Sequence, residues 1–260
     1  MKYRHTIKLP KQDSCNLDQD EAFFYLITKE EEKKIKFHDY SQIYSIPGLY
    51  EQLYYDRLKC RSPQKVTEML QSAVSQSDYS FTELRVLDFG AGNGMMGEEL
   101  NKNGVSRLVG VDIIPEAREA LERDRPGIYD AYYIADFCNL SEDEFQEISS
   151  WSFDCMTTIA ALGFGDISVK AFIKAFNITK SQGWVAFNIK ETFLDHTDNS
   201  GFSKTIRELI FSKYLDLYHL TRYRHRLSIE GEPLYYFAIA GRKNSDVPLD
   251  FLKSKGINFT

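Results

Sequence analysis

The spacing of hydrophobic positions changes along the chain and divides it near residue 80. Before that point, two short apolar runs at residues 22–27 and 34–40 flank a charged stretch. Alternation of apolar and polar residues is typical of half-buried strands, so the pattern predicts a β-hairpin with the charges of residues 30–34 at its tip. A Ser-Pro pair at residues 62–63 is typical of a helix start and predicts a helix to about Ser75.

From residue 84 onward, apolar strand-like runs alternate with helical stretches. The predicted strands are residues 84–89, 107–112, 131–136, 153–162 and 184–189, and the helices between them include 95–103, 115–123 and 168–180. Apolar strands separated by helices predict a parallel sheet that is covered on both faces. The chain then ends on two strands, 218–227 and 234–242, around a Glu-Gly-Glu turn, which predicts a hairpin.

These patterns predict an α/β protein with a doubly wound, mostly parallel sheet and a C-terminal antiparallel hairpin. We expect three segments. Residues 1–80 form an N-terminal extension of hairpin and helices, residues 81–245 form the main domain, and residues 246–260 form a C-terminal tail.

Composition and charge narrow the classes of partner. The formal net charge of −6 argues against nucleic acid and anionic membranes, because both require a basic face. No window approaches 18 consecutive apolar residues, so we expect no membrane span. The four cysteines are scattered, with no C-x-x-C pair, which predicts reduced thiols in a cytoplasmic protein and no metal site.

A glycine-rich loop carries the clearest chemical signal. The apolar strand at residues 86–89 runs directly into Gly90-Ala91-Gly92-Asn93-Gly94. Glycines let a backbone approach a ligand closely, and a following helix N-terminus suits a polar ligand. Residues 92–97 match the dinucleotide-binding pattern G-x-G-x-x-G, but this match begins two residues too late after the end of the strand. In the frame that begins at Gly90, the bulky Met95 stands at the position of the third glycine. Asp88 would repel a pyrophosphate and suits a cationic sulfonium ligand with a free ammonium group.

The pattern D-x-G-x-G-x-G at residues 88–94 resembles motif I of class I S-adenosylmethionine-dependent methyltransferases. Later segments resemble the family's following motifs in order, at residues 109–112, 134–137, 153–162 and 182–187. The resemblance covers about residues 81–243, and the nearest relatives that we can name are the small Williams–Beuren-region-type methyltransferases. It implies a Rossmann-like sheet of seven strands, S-adenosyl-L-methionine as cofactor and S-adenosyl-L-homocysteine as product.

The resemblance also implies a set of cofactor contacts. In the family, an acid at the position of Asp112 binds the ribose hydroxyls and one at Asp136 lies near the adenine amino group. The exit of the fourth strand passes close to the methyl group, and a leading helical segment often caps the cofactor and shapes the acceptor pocket. The expected cofactor-binding residues are Asp88, Gly90, Ala91, Gly92, Asp112, Ile113, Asp136, Phe137, Ala160 and Tyr40.

The residues that could bind or deprotonate the methyl acceptor are marked less clearly by the sequence. Methyl transfer is an in-line displacement that requires a general base only when the acceptor must lose a proton. Ligands lie at the carboxyl ends of strands in open α/β sheets, so Glu191 and His196 are candidate bases, with a surface-loop role as the alternative for both. Candidate acceptor contacts are Tyr54, Phe164 and Arg222. Arg222, Arg224 and Arg226 alternate along one face of a predicted edge strand, where charges oppose aggregation.

We expect a small-molecule acceptor, such as a precursor of a specialised metabolite. Residues 162–166 lack the N-P-P-Y-like pattern of amino-directed nucleic-acid and glutamine methyltransferases, and no Pro-Cys nucleophile follows the fourth strand. The alternatives are a protein or nucleic-acid methyltransferase, an NAD-dependent dehydrogenase and an aminopropyl transferase. A non-catalytic scaffold that binds the cofactor is a further alternative, because cofactor binding does not by itself establish turnover.

Overall fold

The computed structural model describes residues 3–10, 21–195, 198 and 200–257. Its strands are β1 (Thr6–Lys8), β2 (Phe23–Ile27), β3 (Glu32–Lys36), β4 (Arg85–Phe89), β5 (Arg107–Asp112), β6 (Ala131–Ile134), β7 (Cys155–Thr158), β8 (Trp184–Lys190), β9 (Leu215–Leu227) and β10 (Pro233–Lys243). Its helices are α1 (Tyr40–Ser45), α2 (Ser62–Val74), α3 (Met95–Lys102), α4 (Pro115–Asp124), α5 (Glu142–Ser149), α6 (Val169–Ile178), α7 (Phe202–Phe211) and α8 (Leu249–Ser254). Glu51–Arg57 form a π-helical segment, and Phe81–Glu83 and Glu191–Leu194 form 3₁₀ turns.

The main sheet has seven strands in the order β6-β5-β4-β7-β8-β10-β9. Strands β4 to β8 are parallel, whereas β10 is antiparallel to both β8 and β9. The sheet therefore has the mixed topology that the sequence predicts, and it closes on the expected C-terminal hairpin. β4 and β7 are neighbours in the sheet, and the chain order runs toward one edge through β5 and β6 and toward the other edge through β8. The carboxyl ends of β4 and β7 therefore flank the crevice where open α/β sheets bind ligands.

Two apolar layers cover the faces of this sheet. Along β4, Val86 packs into one layer and Leu87 into the other, because successive side chains of a strand point to opposite faces. Phe172 and Phe176 of α6 fill the layer on the Leu87 side, and α2 supplies Leu70 to the other. Burial on both faces explains why these strands are apolar without alternation.

The N-terminal extension has a small sheet of its own, in the order β1-β2-β3. The predicted hairpin is confirmed as β2 and β3, but its turn lies at residues 28–31, and Glu32 to Lys34 belong to β3. Strand β1 was not predicted, because three residues are too few for a periodic pattern to emerge. Phe24 and Phe37 are fully buried in a separate apolar cluster beneath this sheet.

The C-terminal segment that we predicted as a tail packs on the core. Val247 and Leu252 of α8 are buried in the apolar layer on the Leu87 side of the sheet, although Val247 itself precedes the helix. Helices α5 and α7 were also missed by the sequence patterns. None of the helices in the part of the chain that the structure describes has the length and apolar content that a bilayer crossing requires.

Strand β9 lies at the edge of the sheet and contains a β-bulge at His225. Leu234 pairs with Arg226, whereas the next residue, Tyr235, pairs with Arg224. The extra residue changes the face to which the following side chain points. Arg222 and Arg224 are exposed, but Arg226 is buried. The prediction that the three arginines share one face is therefore wrong for Arg226.

Candidate active site

The glycine loop joins β4 to α3 in the conformation that its sequence requires. Gly90, Gly92 and Gly94 all have positive φ angles, +74°, +54° and +87°. A side chain is strained in this region of backbone space. A Cβ on Gly92 would also collide with the hydroxyl of Tyr44, which packs over the loop from the N-terminal extension.

Asp112, at the end of β5, ties the loop to the neighbouring strand. One carboxylate oxygen accepts the N–H of Gly92 at 2.8 Å and the other accepts the N–H of Ile114 at 3.0 Å. Burial raises the pKa of this carboxyl group, against the lowering effect of these backbone hydrogen bonds. A carboxylate has more acceptor sites than these two bonds use, so Asp112 can still accept hydrogen bonds from a ligand.

A cleft of about 400 Å³ opens at the carboxyl ends of β4, β5 and β6. Seven of the predicted cofactor residues line it: Tyr40, Gly90, Asp112, Ile113, Asp136, Phe137 and Ala160. Ile113 is 56% exposed, so it presents an apolar surface to this opening. The Asp136 carboxylate accepts hydrogen bonds from the Asn139 side chain and the Cys138 N–H, which hold its pKa below the usual value.

A second, smaller cavity of about 60 Å³ adjoins the cleft. It lies between the N-terminal extension and the glycine loop, and its lining includes the predicted residues Ala91, Gly92, Tyr54 and Phe164. The two cavities share several lining residues, namely His38, Tyr40, Tyr44, Tyr50, Gly90, Ile159 and Ala160. The predicted cofactor and acceptor residues thus meet at a common boundary.

The structure places Asp88 beneath the glycine loop, where it lines neither cavity. Its carboxylate accepts hydrogen bonds from the Tyr129 hydroxyl at 2.6 Å and the Thr157 hydroxyl at 2.9 Å, and the residue is buried. We expected this carboxylate to face a cationic ligand. Its position corrects that interpretation, because both of its oxygens are bound by hydroxyls that fix the end of β4.

Asp88 gives the fold a specific pH dependence. Burial raises its pKa from 3.8 to about 6. The folded protein therefore binds more protons than the unfolded chain between these values, so the contribution of Asp88 to stability is present below pH 4 and is lost as the pH rises to 6. We expect the free energy of unfolding of the wild type to fall by about 2 kcal/mol more between pH 4 and pH 6 than that of Asp88→Asn, and by about 3 kcal/mol more over the whole titration. Urea denaturation at several pH values measures this, and equal pH slopes for the two proteins would contradict it.

Two of the predicted catalytic and acceptor residues lie away from the cavities. Glu191 begins the 3₁₀ turn after β8, and its carboxylate pairs with the Arg222 guanidinium at 2.6 Å. Both side chains are substantially exposed, and neither residue lines the cleft or the smaller cavity. They form a surface ion pair between the 3₁₀ turn after β8 and the edge strand β9, which corrects their assignment to the acceptor site. His196 lies outside the described residues.

A histidine that the sequence patterns did not select lies at the boundary of the two cavities. His38 follows β3 and lines both of them. Its Nδ1 is 3.2 Å from a carboxylate oxygen of Asp166, and its ring packs against Phe164 with 5.2 Å between centroids. Nothing local in the sequence marks this pair, because the two residues are separated by 128 positions.

Ala160, which follows β7, shares this boundary and is held in an unusual conformation. Its φ angle is +56°, and its N–H donates to the side-chain oxygen of Asn188 at 2.6 Å. The Asn188 amide in turn donates to Ser62 at 3.1 Å and to Tyr223 at 2.7 Å. This buried network fixes the backbone of Ala160, which lines the cleft.

The residues present fit an S-adenosyl compound. Asp112 offers carboxylate oxygens for ribose hydroxyls, and Ile113 and Phe137 offer apolar surface for a base. Among the described residues, no group donates a hydrogen bond to the buried side-chain oxygen of Asn93, which lines the smaller cavity beside the glycine loop. An ammonium group is a donor that can satisfy such an oxygen.

Comparisons with known proteins agree with this geometry. A sequence family described as a methyltransferase domain matches residues 57–228, which is well over half of the chain. A search of curated protein sequences finds no match. The fold is similar to that of the N-methyltransferase NodS from Bradyrhizobium japonicum in complex with S-adenosyl-L-homocysteine, with a TM-score of 0.52 and 12% identity over 80% of this chain and 97% of that chain.

A crystal structure of a protein from Thermoplasma acidophilum is similar to the same extent, with a TM-score of 0.51 and 16% identity. The match covers 75% of this chain and 96% of that chain. At these identities the two structures establish the fold alone, whereas the family match extends over the glycine loop, Asp112 and the strands that flank the cleft. The chain therefore belongs to the methyltransferase-domain family, and it is a class I methyltransferase that depends on S-adenosylmethionine.

Proposed function

We propose that this enzyme methylates an O–H or N–H group of a small molecule, and that His38 accepts the proton. The observation that carries the proposal is the position of the His38–Asp166 pair, at the boundary between the cleft and the smaller cavity. A group at this boundary can reach molecules bound on either side. The proposal assigns the cleft to the adenosine of the cofactor, the part of the smaller cavity beside Asn93 to its amino-acid group, and the boundary beside His38 to the reacting group of the acceptor.

The cleft residues have distinct roles in binding the cofactor. Asp112 would hold the ribose, Ile113 and Phe137 would contact the adenine, and Gly90 would let the sulfur end of the cofactor approach the backbone. When bound, S-adenosylmethionine supplies an electrophilic methyl group on a positively charged sulfur. Orientation of two reactants in this way can contribute roughly 7–11 kcal/mol to lowering a barrier.

His38 acts as the general base through its second ring nitrogen. Because the Asp166 carboxylate lies beside Nδ1, it favours the tautomer in which Nδ1 carries the proton and Nε2 accepts one. No partner of Nε2 is found among the described residues. As the acceptor loses its proton to Nε2, Asp166 stabilises the resulting imidazolium, in the manner of the aspartate in a catalytic triad.

A cluster of tyrosines lines the smaller cavity and its boundary with the cleft. Tyr40, Tyr44, Tyr50 and Tyr54 pack ring against ring, with centroids 4.8 to 6.4 Å apart. Burial raises the pKa of all four phenols, so they stay neutral. Aromatic walls of this kind favour a small planar acceptor, and the net charge of −6 argues against nucleic acid.

Methyl transfer from labelled S-adenosylmethionine identifies the class of acceptor. We expect the purified enzyme to label compounds in the small-molecule fraction of a cell extract, each heavier by one CH₂ group in mass spectrometry. The tRNA, rRNA and protein fractions of the same extract serve as parallel substrates. Labelling of one of these fractions at a rate equal to or above that of the small molecules would contradict the proposal.

A further inference from the structure

Arg226 is a buried cation that lines the smaller cavity. The residue is only 3% exposed, and it does not line the cleft. The bulge at His225 turns it inward, away from the exposed face that carries Arg222 and Arg224. One guanidinium of the edge strand therefore lies at the cavity that adjoins the glycine loop.

The smaller cavity has a positive charge and no acid to balance it. None of its described lining residues is an aspartate or a glutamate. His225, which precedes Arg226 in the chain and also lines this cavity, stays neutral, because burial and the nearby guanidinium lower its pKa well below the usual value. Arg226 therefore gives the cavity a permanent positive charge.

The described part of the protein leaves this guanidinium without a carboxylate partner. It donates a hydrogen bond to the Leu227 carbonyl at 2.9 Å and lies 5.7 Å and 5.9 Å from the ring centroids of Phe37 and Tyr54. A guanidinium has five N–H donors, and burial of a charge is costly unless the charge is paired. Among the described residues, the fold leaves most of these donors unused.

Two other buried cations show what the fold supplies elsewhere. Arg125, whose side chain is 11% exposed, pairs with Glu51 at 2.6 Å. Lys243, whose side chain is fully buried, pairs with Asp246 at 2.5 Å. The fold thus provides carboxylates for cations that it buries, whereas Arg226 has no such partner within the described ranges.

The cofactor carries an anion that fits this position. With its adenosine in the cleft and its sulfur at the shared boundary, its amino-acid group extends into the smaller cavity, where the buried oxygen of Asn93 can accept from the ammonium. A volume of about 60 Å³ holds roughly five water-sized groups, which is the size of an α-carbon with its ammonium and carboxylate. The carboxylate is the only negative charge of the cofactor.

We propose that Arg226 pairs with the carboxylate of S-adenosylmethionine and thereby selects this cofactor over its decarboxylated form, which aminopropyl transferases use. The inference rests on the proposed function, from which it takes the position of the amino-acid group. A guanidinium binds a carboxylate through two parallel hydrogen bonds, whereas the decarboxylated cofactor brings an ammonium to a cation that stays unneutralised. Until the cofactor binds, the fold carries the buried charge of Arg226 without a counterion.

Three ligands separate the contributions of the amino-acid group. S-adenosylhomocysteine has both charges of this group, its decarboxylated analogue keeps the ammonium alone, and methylthioadenosine lacks the whole group. By calorimetry with the full chain, we expect S-adenosylhomocysteine to bind roughly tenfold to a hundredfold more tightly than the decarboxylated analogue. Arg226→Met should remove this preference without changing the affinity for methylthioadenosine, and Arg226→Lys should keep part of it.

Arg224→Met is the matched control, because Arg224 lies on the same strand but is exposed. It should bind all three ligands as the wild type does. Equal affinities of the wild type for S-adenosylhomocysteine and the decarboxylated analogue would overturn the proposal. So would a preference that survives in Arg226→Met, or an equal loss of affinity for all three ligands in that variant, which would make the role of Arg226 purely structural.

The melting temperature of the ligand-free protein gives a second readout. Because Arg226→Met removes a buried charge that has no counterion, we expect this variant to melt roughly 2–8 °C above the wild type. Saturating S-adenosylhomocysteine should stabilise it less than the wild type. A ligand-free variant that melts below the wild type would contradict the claim of an unneutralised charge. If Arg226→Met does not fold, Arg226→Lys tests the pairing, and its preference for S-adenosylhomocysteine should be reduced.

Failure of the proposed function gives different results. Methyl label in RNA or protein would contradict the small-molecule acceptor and leave the three affinities as measured. A wrong assignment of the cleft would appear with methylthioadenosine, whose binding would then be insensitive to Asp112→Ala. If Arg226 alone is wrongly assigned, methylthioadenosine binding still depends on Asp112, and the preference for the carboxylate does not depend on Arg226.

Discussion

His38→Gln is expected to lower kcat by about 10²–10⁴-fold, the usual contribution of a general base. The dissociation constant for S-adenosylhomocysteine should change little, because the cofactor is held by Asp112 and the residues around it. Glutamine keeps hydrogen-bonding groups but cannot accept the proton. The rate of methyl transfer from labelled cofactor to the pooled small-molecule fraction measures the effect, and the pH dependence of that rate should flatten in the variant.

Two variants accompany this measurement. Asp166→Asn should lower kcat less than His38→Gln and should alter the pH dependence of the rate, since Asp166 acts through the imidazole. His219→Gln is the control, because His219 bonds to the exposed Gln76 and lines neither cavity. A wild-type rate in His38→Gln with the pH profile unchanged would exclude His38 as the base.

Asp112→Ala is expected to weaken the binding of S-adenosylhomocysteine by about a hundredfold. The substitution removes the carboxylate that faces the ribose, where hydrogen bonds to a charged group contribute about 1.5–3 kcal/mol each. It also removes the acceptor for the N–H of Gly92, so the glycine loop loses its tie to β5. Calorimetric titration measures the affinity, and thermal melts with saturating ligand should show a correspondingly smaller stabilisation.

Asp112→Asn is the matched variant for this test. Its amide keeps one acceptor oxygen and the size of the side chain, so its loss of affinity should be intermediate. If Asp112→Ala is folded and binds S-adenosylhomocysteine as tightly as the wild type, the carboxylate is not the ribose ligand, and the assignment of the cleft must be abandoned.

The sequence predicts well those features that depend on local pattern. The glycine loop, the acid at the end of β5 and the residues after β6 all occur next to apolar strands, and parallel strands bring their carboxyl ends to one edge of the sheet. The resemblance to class I methyltransferases implies Gly90, Asp112, Asp136 and Phe137 as cofactor contacts, and the structure places all four around one cleft. The parallel arrangement of β4 to β8 follows from the alternation of strands and helices, whereas the sheet of seven strands was implied by the family resemblance.

The remaining features depend on contacts between distant segments. His38 meets Asp166 only because the extension folds over the cleft, and no spacing in the chain indicates this. Arg226 is buried because of one extra residue in β9, which reverses a face that strict alternation would have kept exposed. Asp88 matches its motif, but its hydroxyl partners Tyr129 and Thr157 come from two other segments, and they decide that it supports the loop from below.

A crystal structure of the complex with S-adenosyl-L-homocysteine tests the central claim most directly. The claim predicts that the adenosine lies in the cleft, with its ribose at Asp112 and its base against Ile113. It also predicts that the sulfur lies at the boundary shared with the smaller cavity, beside Ala160 and facing His38. A complex in which the adenosine lies outside the cleft, or in which the sulfur points away from this boundary, would contradict it.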